Sequence, residues 1–284
     1  MRKDIMNTPK DHYRKIGKIN TRYWIDGDQG SPIILIHGIG EYLECWLPSF
    51  NALAAQHRVC AVELPGHGRT DKPLNVSYTV GSLSHFIKDF MAALSIDKAH
   101  IVGHSLGGAI GTRVALVHSA AVERLVLVSS AGLGKEVTMM LRISSVPILG
   151  ELLTRPSLSG SASLYKTLVH NSAIITDDLI ELEYQMSKLP GAQEAFLKTL
   201  RANGNIFGQK ESMYDVNVRG IATITNPVLV VWGQQDRVIP AAHAEIAAKG
   251  FPDVRVHIFD NCGHLPMREF TSEFNGLLLD FLSD

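Results

Sequence analysis

The chain has 284 residues, with 27 Lys and Arg against 28 Asp and Glu and a formal net charge of −1. At 45% hydrophobic and 19% charged residues it is too apolar for a disordered chain, and its near-neutral charge gives no general attraction to nucleic acid or anionic lipid. The length allows one large domain or two modest ones, with a core that needs no disulfide or metal staple.

The first 22 residues carry Arg2, Lys3, Lys10, Arg14, Lys15, Lys18 and Arg22 without an apolar run, so a solvated basic terminus is expected rather than a secretory signal. No stretch reaches the about 18 apolar residues that a membrane-spanning helix requires. Cys45, Cys60 and Cys262 are odd in number and widely spaced, which reads as three reduced thiols in a cytoplasmic protein. There is no H-E-x-x-H, no G-x-x-x-x-G-K-[ST] and no G-x-G-x-x-G after a strand, so neither a metal nor a cofactor is expected.

Short apolar runs alternate with stretches of helical period, the signature of an α/β fold with a mostly parallel central sheet flanked by helices. An antiparallel edge strand is expected over Ile19 to Ile25. Strands covered on both faces are expected at 32–36, 59–62, 100–102, 125–128, 228–231 and 254–258. Helices fit 79–94, 106–119, 240–249 and 270–283. Between 134 and 212 no β-branched run survives, and Pro147, Gly150, Pro156, Gly160, Pro190 and Gly191 punctuate a series of helices. The chain therefore divides into a first core segment 1–133, an all-helical cap 134–212 inserted between two late strands, and a second core segment 213–284. Such a cap lies above the strand ends, where open α/β sheets bind ligands.

Gly103-His104-Ser105-Leu106-Gly107 is a G-x-S-x-G placed directly after an apolar run and before a helical one. On a strained strand-to-helix turn the serine Oγ is pushed clear of the sheet, and the glycines two residues either side avoid collision with the backbone. The following helix directs its N-terminal N–H groups at the same point. Where a serine occupies such a turn, its partners follow in the order Ser, Asp or Glu, His, on loops after later strands. His264 alone among the twelve histidines suits that order, following the last strand and preceding the C-terminal helix; His243 and His257 read as structural. Asp236 is the matching acid, and Asp253 and Asp260 read as turn residues. The oxyanion hole is assigned to the backbone N–H groups of Leu106 and of Ile39 in the turn His37-Gly38-Ile39-Gly40, with His37 shaping that turn. His104 flanks the nucleophile and is expected to point away from the reacting atoms; with Met139, Met140 and Leu265 it is a candidate for the substrate pocket.

These residues resemble the α/β-hydrolase superfamily over essentially the whole chain, and Leu64-Pro65-Gly66-His67-Gly68-Arg69-Thr70 is similar to the family's turn after an early strand. The resemblance implies the α/β-hydrolase fold and a serine nucleophile, and Ser105 argues against the aspartate-nucleophile dehalogenases and epoxide hydrolases of that fold. The C-terminal pattern Trp232-Gly233, Asp236 to Pro240 and Cys262-Gly263-His264 is similar to meta-cleavage product hydrolases, which cleave C–C bonds in 2-hydroxy-6-oxo-dienoates. The chain departs from them at His104 and Leu106, where they carry Asn and Met, and at Leu265, where they carry Trp. Glu183 falls where their cap carries the arginine for the dienoate carboxylate, and a carboxylate there would repel that substrate. Arg142, Arg155 and Arg201 are the candidates to replace that arginine.

The expected activity is that of a cofactor-independent carboxylesterase on small to medium acyl esters. A C–C hydrolase and a non-catalytic small-molecule receptor are the alternatives. A homodimer is left open, and a small-molecule ester is the expected partner. The apolar cap residues Met139, Met140, Leu141, Ile143, Val146, Ile148, Leu149, Leu152 and Leu153 would suit a hydrophobic substrate, with at least half of them packing the cap on the core.

Overall fold

A computed structural model describes residues 8–283. Its sheet has eight strands in the order β1-β2-β4-β3-β5-β6-β9-β10: β1 (His12–Ile16), β2 (Ile19–Asp26), β3 (Ile33–Ile36), β4 (Val59–Val62), β5 (Ala99–His104), β6 (Val122–Val128), β9 (Val228–Gly233) and β10 (Val254–Phe259). β1 and β2 pair antiparallel with each other, and β2 pairs antiparallel with β4. Every pairing from β4 to β10 is parallel. Two expectations are corrected here. Ile19–Ile25 lies in the second strand, because β1, a mostly exposed and charged strand the sequence pattern concealed, forms the edge. β10 is not covered on both faces: as the opposite edge it leaves Val256 and Ile258 exposed.

The central strands divide their side chains between two cores by simple alternation. Ile34, Ile36, Ile101, Leu125 and Val230 face α2 (Val80–Ala93), α3 (Leu106–Val117) and α10 (Ala242–Gly250). Ile33, Leu35, Val102, Val126 and Leu229 face α1 (Leu47–Ala54) and α12 (Thr271–Ser283). Helices therefore cover both faces, as fully apolar strands require. Thr79 caps α2 by accepting the Ser82 N–H, and Pro48 sits in the first turn of α1, where its missing N–H costs nothing. Arg22, expected in the solvated basic terminus, is instead buried on β2. It pairs with Glu44 at 2.8 Å, Glu63 at 3.0 Å and Asp11 at 2.7 Å, the partners a buried charge demands.

Between β6 and β9 the chain forms α4 (Met139–Ser144), α5 (Leu149–Leu153), α6 (Leu158–Leu168), α7 (Asp177–Ser187) and α8 (Ala192–Asn203). This segment is not wholly helical: β7 (Gly204–Asn205) and β8 (Gly208–Gln209) pair as a short antiparallel hairpin, too brief to leave a period in the sequence. α9 (Glu211–Gly220) then packs on α3. Asn203 ties the end of α8 to the core, accepting the Val80 N–H at 2.9 Å and donating to Tyr78 O at 2.8 Å. The expected packing of α4 and α5 on the core is only partly realised. Ile148 is 74% exposed, and Met139, Met140, Leu149, Leu152 and Leu153 are exposed as well, Met140 and Leu153 at the cavity wall and the others on a face of these two short helices that no described residue covers. Among the described residues no helix is long and apolar enough to cross a membrane.

Candidate active site

Ser105 stands between β5 and α3 with φ 51° and ψ −116°, a strained backbone that an L-residue adopts only when its surroundings enforce it. The enforcement is visible. Ser105 N–H donates to Val128 O at 2.9 Å, while Ser105 O accepts from Gly108 N at 3.0 Å and Ala131 N at 2.9 Å. A Cβ on Gly103 would lie 2.2 Å from Gly107 O, and one on Gly107 would lie 2.2 Å from Ile36 O, so neither position admits a side chain. Gly108 is under the same constraint, from the Ser130 Oγ, which the sequence motif does not announce.

The loops after β9 and β10 bring Asp236 and His264 together. Nδ1 of His264 lies 2.7 Å from Asp236 Oδ2, with both side chains buried. Asp236 Oδ1 accepts from Val238 N at 2.7 Å and Ile239 N at 3.0 Å, so the carboxylate is held on both oxygens and oriented toward the imidazole. Gln235 joins the two loops: its N–H donates to Cys262 O at 2.8 Å and its Oε1 accepts from Cys262 N at 3.0 Å. Neither Asp253 nor Asp260 competes for this place; Asp260 bonds Gln235 and Asn261 at the surface. His243 is buried against Glu136 at 3.0 Å and His257 lies exposed on β10, both away from the serine.

From the other side, helix α11 (Pro266–Glu269) contributes Glu269. It accepts from Gly263 N at 2.7 Å through one oxygen and from His170 N and Asn171 N at 2.8 Å through the other. His264 N–H donates to Leu168 O at 2.6 Å. The segment after α6 is thus bonded directly to the histidine loop, an arrangement that sequence reading missed because its donors are backbone groups without a motif.

Ile39 and Leu106 border the same cavity as Ser105 and His264. Neither N–H meets a protein acceptor among the described residues, whereas the neighbouring Gly38 N–H is already engaged by Glu41 Oε2 at 2.6 Å. Leu106 is the first residue of α3, where N–H groups have no intrahelical partner. His37 links the ends of β3 and β4, with Nδ1 2.7 Å from Gly38 O and Leu64 N–H donating to Nε2 at 3.0 Å; burial holds its pKa down to about 4, so it is neutral.

His104 corrects its expectation. It does not point away: its ring centroid lies 4.7 Å from that of His264, and its Nε2 is 2.9 Å from His264 O. Its Nδ1 is 2.8 Å from Glu41 Oε2, a partner with no sequence signal beyond its place just after the His37 turn. Burial opposes ionisation of both groups, but their mutual attraction prevails: the Glu41 carboxyl is brought down to about 2 and the His104 imidazole is raised.

The cavity encloses about 1400 Å³ and is bordered by the core loops below and α4–α8 above. His104, Met140 and Leu265 border it as expected; Met139 does not, and its side chain is 54% exposed outside it. Arg142 and Arg155 border it also, while Arg201 is occupied by Glu151 through two bonds of 2.8 and 2.9 Å. Glu183 borders the cavity beside Tyr42 and Tyr165; burial pushes its pKa up to about 7, with Tyr42 only partly offsetting the rise and Glu41 adding to it. Among the described residues no three His, Cys, Asp or Glu side chains converge as a metal site requires.

A family model described as the alpha/beta hydrolase family matches residues 33–276. The chain belongs to the alpha/beta hydrolase family. This hydrolase is 34% identical to the 2-hydroxy-6-oxo-6-(2'-aminophenyl)hexa-2,4-dienoic acid hydrolase of Metapseudomonas resinovorans, over 96% of this chain and 91% of the relative. It is 32% identical to the dihydrolipoyllysine-residue acetyltransferase component of the acetoin cleaving system of Pseudomonas putida, over 94% of this chain and 67% of the relative. Among solved structures, a meta-cleavage product hydrolase from Pseudomonas fluorescens matches with a TM-score of 0.81 and 30% identity, covering 94% of this hydrolase and 95% of that chain. The family resemblance to C–C hydrolases read from the sequence is therefore shown, whereas the bond that this hydrolase cleaves is not decided by kinship.

Proposed function

We propose that the protein is a serine carboxylesterase acting on small to medium, predominantly apolar acyl esters. The observation that carries this reading is the lining of the cavity that Ser105 borders: it includes Glu41 and Glu183 together with apolar Leu265 and Met140, and its arginines, Arg142, Arg155 and Arg268, stand at positions other than Glu183. No basic side chain stands at Glu183's position to receive a dienoate carboxylate, and a buried acidic group penalises an anionic substrate.

In this mechanism His264 accepts the Ser105 proton as Oγ attacks the ester carbonyl, and Asp236 keeps the imidazole in the tautomer with Nε2 free to act. The developing oxyanion is received by the Ile39 and Leu106 N–H groups, each worth about 2.7–4 kcal/mol at comparable sites. His264 then protonates the departing alkoxide, and water releases the acyl group by the same route. The apolar cavity gives the acyl chain its binding energy, at roughly 0.8 kcal/mol per buried methylene.

A second reading, hydrolysis of a C–C bond in a meta-cleavage dienoate, is favoured by the 34% identity to a hydrolase of such a substrate. Rates on p-nitrophenyl esters from C2 to C12, measured beside one meta-cleavage dienoate, separate the two. Ester turnover that exceeds dienoate turnover and disappears in Ser105→Ala supports the esterase. Dienoate preference establishes the second reading, and the absence of multiple turnover with both classes leaves a receptor on a hydrolase scaffold.

A further inference from the structure

The cap carries an apolar face that no described residue covers. α4 packs against α5 and against β7, and Arg142 Nε donates to Ile206 O at 2.8 Å, so the turn between β7 and β8 adjoins the two short helices. On this joined face Met139, Ile148, Leu149, Leu152 and Phe207 are exposed, Phe207 by 69%. Ile148 is held there under strain: its φ of 71° and ψ of −51° form a γ-turn that a β-branched residue rarely adopts. A backbone strained to put an isoleucine into water gives nothing to the fold of the isolated chain, and an exposed apolar face of this kind marks a docking site.

Two features identify the occupant. Met140, Leu153 and Leu164 are exposed and also border the cavity of Ser105, so that cavity opens within the apolar face. The face is also rimmed by positive charge. Arg142 on α4 and Arg155 just beyond α5 border the same cavity, and neither pairs with a carboxylate among the described residues. Glu151, the only acid in α4 and α5, is already held by Arg201 at 2.8 and 2.9 Å. A second copy docked here about a two-fold axis would set these arginines against one another and cover the cavity mouth.

We propose that α4, α5 and the β7–β8 turn dock on an anionic lipid surface, and that the cavity draws its acyl esters from that surface. Ile148, Leu149, Leu152 and Phe207 enter the acyl region, and Arg142 and Arg155 meet the headgroups. Apolar burial and headgroup attraction act together in such binding, so a local charge suffices in a chain whose net charge is near zero. The delivery of substrate rests on the esterase reading; the docking does not.

Sedimentation of Ser105→Ala with unilamellar vesicles tests the docking without turnover. Vesicles of phosphatidylcholine with phosphatidylglycerol should bind at least about tenfold more tightly than phosphatidylcholine alone, and the preference should vanish when Arg142→Gln and Arg155→Gln are added. Adding Ile148→Asp and Leu152→Asp instead should weaken binding to the anionic vesicles at least about tenfold. Failure to bind either vesicle, equal binding to both, or binding that survives the two aspartates overturns the proposal. A dimer in analytical ultracentrifugation that the two aspartates dissociate also overturns it, and makes this face a subunit contact. With Ser105 intact, Ile148→Asp/Leu152→Asp, whose side chains lie outside the cavity, should leave turnover of dissolved p-nitrophenyl butyrate unchanged. Turnover of p-nitrophenyl palmitate held in the anionic vesicles should fall at least about tenfold. Palmitate turnover that persists after docking is lost overturns the delivery. Vesicle binding without turnover of any ester overturns the esterase reading and leaves the docking face standing.

Discussion

Glu41 Oε2 lies 2.8 Å from Nδ1 of His104, and the opposite nitrogen of that ring lies 2.9 Å from the backbone oxygen of His264. A carboxylate and a carbonyl only accept hydrogen bonds, so both ring nitrogens must carry protons and His104 is an imidazolium. The pair supports the histidine loop from beneath. Its carboxylate also fixes the Gly38 N–H, and with it the turn that presents Ile39.

Breaking that pair on one side only should be costly. Glu41→Gln leaves a buried cation unpaired and is expected to lower unfolding free energy by about 3–5 kcal/mol, whereas Glu41→Gln/His104→Asn should recover most of the loss. Urea denaturation across the double-mutant cycle measures the coupling. The pH dependence follows from the two shifts. Raised from 6.5, His104 contributes stability that is complete below that pH and lost as pH rises through its folded value. Lowered from 4.5 to about 2, Glu41 contributes stability that is complete above pH 4.5 and lost as pH falls toward 2. The stability difference between parent and double variant should therefore be greatest near pH 5–6.5 and shrink on the acid side; a flat profile would refute the ion pair.

Glu183 carries the opposite sign. Its carboxyl is raised from 4.5 to about 7, so the folded state resists an ionisation that the unfolded chain undergoes freely. Stability from this group is complete below pH 4.5 and is lost between there and pH 7. Glu183→Gln should consequently raise the melting temperature at pH 8 and change it little at pH 4.5, as thermal denaturation at the two pH values would show.

Asp236→Asn preserves the shape of the loop but allows the wrong tautomer of His264. A fall of about 10⁴-fold in kcat with the melting temperature nearly unchanged is expected in steady-state kinetics and thermal scans. A loss under tenfold would mean that Asp236 does not orient the imidazole.

Glu269→Ala removes three backbone hydrogen bonds to a carboxylate, two of them from the segment after α6, and the weaker one from Cys262 Sγ. Bonds to charged groups are worth about 1.5–3 kcal/mol each, so the histidine loop and the chain above it should loosen together. Limited proteolysis should then open at 168–171 while kcat falls, and Glu269→Gln, which keeps an acceptor oxygen, should restore part of both.

Gly107→Ala places a methyl 2.2 Å from Ile36 O, backbone against backbone, with no flexible side chain to yield. The variant is expected to accumulate as insoluble protein or to melt far below the parent, and a normal melting curve would contradict the tight elbow.

Much of this molecule was legible in one dimension because its signals are local. The apolar runs from Ile33 to Val231 mark the buried strands, since a strand covered on both faces cannot hide its composition. The elbow around Ser105 is legible because steric exclusion demands glycines at fixed offsets, and Asp236 and His264 because each follows a recognisable strand. Chain order alone therefore selects Ser105 and His264, which border one cavity, and Asp236, which is buried against the His264 imidazole. What stayed hidden was set by neighbours distant in the chain. β1 became an edge strand through pairing rather than composition, and Arg22 was buried by carboxylates at 11, 44 and 63. His104 was turned toward His264 by Glu41, and Met139 was left outside the cavity by the direction of a single short helix. Sequence determined the backbone scaffold and the candidate reacting side chains, because steric and hydrophobic patterning act over a few residues. Tertiary structure alone decided the charge of the pocket, because charge depends on which ionisable groups burial brings within a few ångströms of one another.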